Sequence, residues 1–309
     1  MTDPELVLAI ERRLRRLAGL LDVALLEGQG ETAAGIRRYY ERSRPGYRFV
    51  HSKRGAMHMA LNPDGAFDPA GYEGQALLVS ERLPAAAPCD VLELACGNGF
   101  NLRLLAARHP QAQLVGIDLV AAQVRRANAS LKDSSRARAV VGDFHALAFA
   151  DASQDCVFVV ESLCHATDLP RALGEIARVL RPGGRLVVVD GWRTAPFEEL
   201  PAVVREATVA VERAMAVSAG QALPAWKDAA AACGLRVVEE LDLTDQIAPN
   251  LARLEAIAER FLARPRLVRM ARLVAPGPLL LNAVAAYLMP LVVAAGAHTY
   301  RLLVLRRDG

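Results

Sequence analysis

The chain has 309 residues with 37 basic and 34 acidic side chains, a net charge of +3, and these charges are interspersed rather than gathered into a basic block. That excludes a phosphate-backbone binder, so no nucleic-acid partner is expected. The five cysteines (Cys89, Cys96, Cys156, Cys164, Cys233) form no CxxC pair and sit mostly in apolar runs, which argues against a disulfide framework or a structural metal and for reduced thiols in a cytoplasmic protein. Asp3, Glu5 and an arginine-rich stretch over Glu11 to Arg16 lack the order basic, apolar, small of an export signal.

In chain order, apolar residues at helical spacing predict a first helix over Pro4 to Leu26, ended by Gly28 and Gly30. The next segment, Ile36 to Tyr72, is dense in aromatics and histidine and is punctuated by Pro, Gly and Asn, so it reads as loop and short helix. From Asp90 onward strand-like runs at Val91 to Ala95, Gln113 to Asp118, Ala137 to Val141, Cys156 to Glu161 and Arg185 to Asp190 alternate with helical patterns at Phe100 to Arg108, Val120 to Leu131 and Leu169 to Leu180. Such alternation implies an α/β, doubly wound, Rossmann-like sheet with its ligand site at the carboxyl ends of the strands. Helices are then predicted over Phe197 to Ala219 and Pro224 to Cys233, and strands over Leu235 to Leu243 and Tyr300 to Leu305.

The chemistry sits at the strand ends. The first strand closes on Glu93 and runs into Ala95-Cys96-Gly97-Asn98-Gly99, a turn that opens a helix; glycine lets backbone approach a ligand there, and a helix amino end favours an anionic group. Asp118 ends the second strand and Asp143, within Gly142-Asp143-Phe144, follows the third. A nicotinamide dinucleotide site shares the acid after the second strand. Its third glycine would fall near Leu102, and it gives Glu93 and Asp143 no role.

With Arg181-Pro182-Gly183-Gly184 before the fifth strand, this constellation resembles the class I S-adenosylmethionine (SAM) methyltransferases over roughly Leu78 to Asp190. The resemblance implies a seven-stranded sheet with an antiparallel final pair, and SAM as cofactor. It implies a cofactor site of Glu93 for the ammonium, Ala95, Gly97, Gly99 and Asn101 around the carboxylate, Asp118 for the ribose hydroxyls, Asp143 and Gly142 for the adenine edge, and Leu119, Gln123 and Phe144 about the ring. Four units follow: an amino-terminal helix and aromatic cap (1–75), a SAM-binding core (76–243), a hydrophobic helical insert or lid (244–298) and a last core strand (299–309).

The run Glu161-Ser162-Leu163-Cys164-His165 after the fourth strand is similar to the sterol, terpenoid and tocopherol C-methyltransferases, as are Tyr39-Tyr40, His51 and His58 upstream. Here the group's tryptophan is missing and methionines flank His58, so the likeness stops short of the acceptor. Glu161 and His165 are the candidate catalytic pair; Tyr39, Tyr40, Tyr47, His51 and His58 are candidate substrate contacts. Each has a plainer reading: Glu161 as a cofactor contact or turn cap, His165 as a structural histidine, the tyrosines as loop packing. The expected function is methylation of a hydrophobic small molecule, C-methylation of an isoprenoid-type alkene being the sharper form; O- or N-methylation, or a non-catalytic membrane-surface role, are the alternatives.

From Val274 to Ala297 the only strongly polar side chain is Asn282, long enough to consider a membrane span. An insert between two adjacent edge strands starts and ends on one domain, and Pro276, Pro278 and Pro290 interrupt it, so a lid, a substrate wall or a subunit contact is expected instead. Peripheral membrane contact and self-association stay open.

Overall fold

The computed structural model describes residues 3–21, 32, 35, 37–38, 51–84, 88–194, 197–217, 220–274 and 277–309; Tyr39, Tyr40 and Tyr47 lie outside the described residues. Strands β1 (Asp90–Leu94), β2 (Gln113–Asp118), β3 (Ala137–Val141), β4 (Gln154–Val160) and β5 (Leu180–Arg193) pair in parallel in the order β3-β2-β1-β4-β5. The wholly apolar, buried runs Val157 to Val160 of β4 and Leu186 to Val189 of β5 suit central strands covered on both faces, whereas Val140 and Val141 of the edge strand β3 are exposed. β6 (Leu235–Asp242) and β7 (His298–Arg307) complete a seven-stranded sheet, with β7 antiparallel to both β5 and β6. The antiparallel final pair is the one that the class I resemblance implies.

Alternate side chains of each strand feed two apolar layers. Leu92, Leu94, Val157, Val159, Leu186 and Val188 face α5 (Leu169–Val179) and α7 (Leu223–Ala232). Val91, Phe158, Val160, Val187, Val189, Leu302 and Val304 belong to the opposite layer, with α1 (Pro4–Leu20), α2 (Gly74–Ser80), α3 (Phe100–Arg108), α4 (Ala121–Ser130), α6 (Ala202–Ala214), α8 (Thr244–Leu262) and α10 (Gly277–Ala294). α5 shows why these segments are helical: Asp168 caps it by accepting from the Arg171 N–H at 3.0 Å, and Leu169, Ala172, Leu173, Ile176 and Val179 bury one face at helical spacing.

Several boundaries differ from the sequence reading; β5 starts five residues before the expected Arg185 and takes in Arg181 to Gly184. The helix expected from Phe197 is a short 3-10 turn (Phe197–Glu199) followed by α6, because Pro201 restricts the residue before it and starts the helix afresh. The apolar run before the last strand belongs to a three-helix excursion in which α9 (Pro265–Val274) separates α8 from α10. Within α10, Leu281, Val284, Leu288 and Val292 are buried against α6, α8 and α1, so this helix is an internal layer of the domain. Among the described residues no helix is long and apolar enough to cross a membrane.

Candidate active site

β1 delivers Glu93 to the carboxyl end of the sheet, where the chain turns through Ala95, Gly97 and Gly99, all at positive φ (51°, 54° and 80°), into α3. A Cβ on Gly99 would stand 2.9 Å from the Ala127 Cβ on α4. Gly99→Ala therefore meets both a steric and a conformational penalty, together about 2 kcal/mol or more. The expected outcome is a melting temperature lowered by several degrees that S-adenosylhomocysteine no longer raises; an unchanged ligand-induced shift would refute this role for the turn.

Asp118 at the end of β2 binds the turn, accepting from the Gly97 N–H at 2.9 Å and from the Val120 N–H at 2.8 Å. Burial raises its carboxyl above the ordinary range, and these two donors oppose that shift. Glu93 is 2% exposed, and burial pushes its carboxyl up to about 8. Its Oε1 accepts from Asn101 Nδ2 at 2.9 Å, whereas its Oε2 and the Asn101 Oδ1 are buried with no partner. Two orphaned acceptors side by side in a cavity wall call for a ligand bearing several N–H donors. The ammonium of an amino-acid-like cofactor meets that need, and the turn at the start of α3 suits its carboxylate, so the residues present fit SAM.

The cavity at this end is lined by Glu93, Ala95, Gly97, Asn101, Asp118, Leu119, Gln123, Gly142 and Phe144, as the sequence reading grouped them. Two predicted residues do not line it: Gly99, which packs against α4, and Asp143. The Asp143 Oδ1 accepts from the His145 N–H (2.8 Å) and lies 2.7 Å from His145 Nδ1, and His145 itself lines the cavity. The amino-terminal cap supplies Gly55 and Met57: Asn98 Nδ2 donates to the Gly55 carbonyl at 2.7 Å, and Met57 Sδ lies 3.3 Å from Gln123 Nε2. Neither stands in a motif, and no sequence signal marked them.

Glu161, directly after β4, is held at a positive φ of 47° and borders two cavities at once, the one just described and a second beside it. Its Oε1 accepts from the Met59 N–H and from the Tyr300 hydroxyl, each at 2.7 Å. Burial pushes its carboxyl up to about 7 against those two donors. Tyr300, on β7, was not a predicted site residue; its partner lies 139 positions away in the sequence. Gln75 Nε2 donates to the same hydroxyl at 3.1 Å.

His165 also borders both cavities, with Nδ1 3.1 Å from the Ala216 carbonyl. Burial lowers its imidazole to about 4, so it is neutral at physiological pH and a weak base. The other two candidate histidines each bond to a backbone carbonyl of the amino-terminal segment. His58 Nε2 bonds to the Tyr72 carbonyl (2.8 Å), and its ring meets Tyr72 and Phe100 edge-on at the rim of the first cavity. His51 Nε2 bonds to the His58 carbonyl (2.7 Å) and lines neither cavity. Burial lowers both to about 4. His51 thus bonds within the cap loop and stands outside both of these cavities.

The second cavity has an apolar wall that includes Met59, Met215, Met289, Trp192 and Trp226, and α10 contributes Met289 and Val293. It also holds polar groups. Asp190 accepts from the Gly191 N–H (2.8 Å) and the Cys164 N–H (3.2 Å), and burial pushes it up to about 6. Arg193 forks onto Glu212 through Nε (2.7 Å) and Nη2 (2.5 Å), while His298 Nε2 lies 2.9 Å from the same carboxylate.

A family profile described as a methyltransferase domain matches residues 92–188. The chain is 34% identical over 174 residues to 24-methylenesterol C-methyltransferase 2 of Oryza sativa subsp. japonica, covering 53% of this chain and 46% of that protein. It is 33% identical over 180 residues to the O-methyltransferase resE of Aspergillus sclerotiorum, covering 57% and 66%. It thus spans about half the length of the sterol relative and just under two thirds of the other. Among solved structures, a geranyl diphosphate methyltransferase in complex with geranyl diphosphate and sinefungin superposes with a TM-score of 0.66 at 21% identity, over 89% of this chain and 98% of that one. The [4+2]-cyclase SpnF superposes with a TM-score of 0.70 at 22% identity, over 91% and 98%. At those identities the structures testify to the fold alone. The strand order, the cradle and the family profile agree: the chain carries a class I, SAM-type methyltransferase domain, related to those of sterol and other small-molecule methyltransferases.

Proposed function

We propose that the protein methylates a hydrophobic small molecule bound in the second cavity, with C-methylation of an isoprenoid-type alkene as the reading Glu161 supports best. Bound in the first cavity, SAM supplies an electrophilic methyl group. Asp118, Glu93 with Asn101, and the turn into α3 hold it, leaving Glu161 and His165 on the boundary with the acceptor. As the π pair of an alkene would form the new carbon–carbon bond, the methyl–sulfur bond would break with its electron pair left on the thioether sulfur, and positive charge would develop on the acceptor's neighbouring carbon. Glu161, ionised and fixed by Met59 and Tyr300, stabilises that charge in a site of low polarity and then takes the proton whose loss restores the double bond. The methionine wall adapts to an irregular apolar shape. The observation that carries this reading is the seat of Glu161 between the two cavities.

O-methylation is the second reading, and a specific feature favours it: Asp190 and the Arg193, Glu212 and His298 group give the acceptor cavity a polar end. A purely hydrocarbon acceptor would leave those groups facing apolar atoms. Either way the acceptor is expected to be amphiphilic. Incubation with methyl-labelled SAM and a panel of prenyl diphosphates, sterols, phenols and carboxylic acids tests the assignment. Label in a new carbon–methyl bond is the expected product. Label found on oxygen alone would move the assignment to the second reading, and no transfer to any acceptor by a protein that binds the cofactor would count against both.

A further inference from the structure

We propose that α9 docks the protein on an anionic membrane surface. The observation behind it is independent of the acceptor's identity. Of the ten residues of α9, only Val268 is buried. Leu267, Met270, Leu273 and Val274 are 36%, 57%, 86% and 79% exposed, and they are four of the nine large apolar side chains that stand exposed among the described residues. Leu267, Met270 and Val274 follow the i, i+3, i+7 spacing of one helix face, with Leu273 beside them, opposite the face that Val268 buries.

Arginines surround that stripe. Arg264, Arg266, Arg269 and Arg272 are all exposed, Arg272 reaching the Leu20 carbonyl at the end of α1 at 3.4 Å and Arg266 and Arg269 lying nearest the stripe, and the sequence contains no Asp or Glu between Glu259 and Asp308. The acids nearest in sequence, on α8, are turned to α1: Glu255 pairs with Arg13, and Glu259 faces Arg16 at 4.0 Å. An apolar stripe edged with guanidinium groups matches the interface of a bilayer, whose acyl boundary takes the Leu, Met and Val side chains while anionic headgroups take the arginines. A second copy of this chain fits worse, because a two-fold contact across this face would set Arg266 and Arg269 against their own copies with no acid on α9 to pair them.

The docking face also stands apart from the cofactor end. α8 begins at Thr244, whose hydroxyl lies 3.1 Å from that of Thr299 in the acceptor cavity wall, and runs 19 residues before the chain enters α9. At 1.5 Å per residue the two ends of α8 are about 27 Å apart. Substitutions on α9 are therefore expected to leave cofactor binding unchanged.

Flotation of the full chain with phosphatidylcholine vesicles, with and without about 30% phosphatidylglycerol, tests the proposal. The protein is expected to float with the anionic vesicles at low salt, to do so tenfold less with neutral ones, and to lose binding as salt is raised. Leu273→Glu with Val274→Glu, and separately Arg266→Glu with Arg269→Glu, are each expected to lower anionic-vesicle binding tenfold or more. The S-adenosylhomocysteine-induced rise in melting temperature serves as the check that both variants are folded. Failure of the wild type to float, or folded variants that float as it does, would overturn the proposal. So would a dimer in sedimentation that dissociates on Leu273→Glu without any vesicle binding, since the occupant would then be a second copy.

Discussion

Glu161→Gln is expected to lower methyl transfer by about 10²- to 10⁴-fold while leaving S-adenosylhomocysteine affinity within about twofold. Glutamine keeps an oxygen that accepts from the Met59 N–H and the Tyr300 hydroxyl, so the positive-φ turn and the cavity boundary survive the change. The negative charge beside the acceptor is what it removes. In the wild type that charge depends on pH: with the carboxyl raised to about 7, Glu161 is mostly protonated below pH 7 and mostly ionised above it. kcat/KM should therefore climb through a limb centred near 7, and Glu161→Gln should lack that limb. Tyr300→Phe removes a donor that holds the carboxyl down, so its limb should move to higher pH. Full activity in Glu161→Gln, or an identical limb in both proteins, would leave Glu161 with only the turn-capping role.

Most of the cofactor end is legible in the sequence because its parts are local. A strand, a glycine turn and a helix start are consecutive in the chain, and an acid at the next strand end follows at a fixed distance, so Glu93, Gly97, Gly99 and Asp118 can be read as a set. The motif does not record the neighbour of Asp143: His145, two residues on, engages its Oδ1 and lines the cavity. The acceptor side is assembled from distant segments. Tyr300 reaches Glu161 across the β5–β7 pairing, Met59 comes from the cap, and Arg193 meets Glu212 and His298 from three separate elements. No spacing rule connects those positions. Hydropathy alone did not mark the exposed apolar surface either. The most apolar helix, α10, is buried by its neighbours, whereas α9, interrupted by arginines and less apolar on average, carries the exposed leucine, methionine and valine side chains.

Cofactor binding at pH 7 is expected to release close to one proton, and Glu93 is the source. With its carboxyl raised to about 8 by burial, Glu93 is about nine-tenths protonated at pH 7 in the free protein. A ligand ammonium at its unpartnered Oε2 favours the ionised form, so the proton must leave as the ligand binds. Calorimetric titration with S-adenosylhomocysteine in phosphate and in Tris, whose ionisation enthalpies differ, should give heats separated by nearly one buffer ionisation, and affinity should rise with pH up to about 8. Glu93→Gln should abolish the buffer dependence and weaken binding by about ten- to a hundredfold. The same raised carboxyl has a signature without ligand. A folded value above the unfolded one means that the folded state holds its proton longer, so this group's contribution to stability is complete below about 4.5 and is lost as pH rises through about 8. Melting curves of the free protein should fall over that window and should flatten in Glu93→Gln. Heats that do not depend on the buffer would place the ammonium elsewhere in the cavity and leave Glu93 as a buried partner of Asn101 alone.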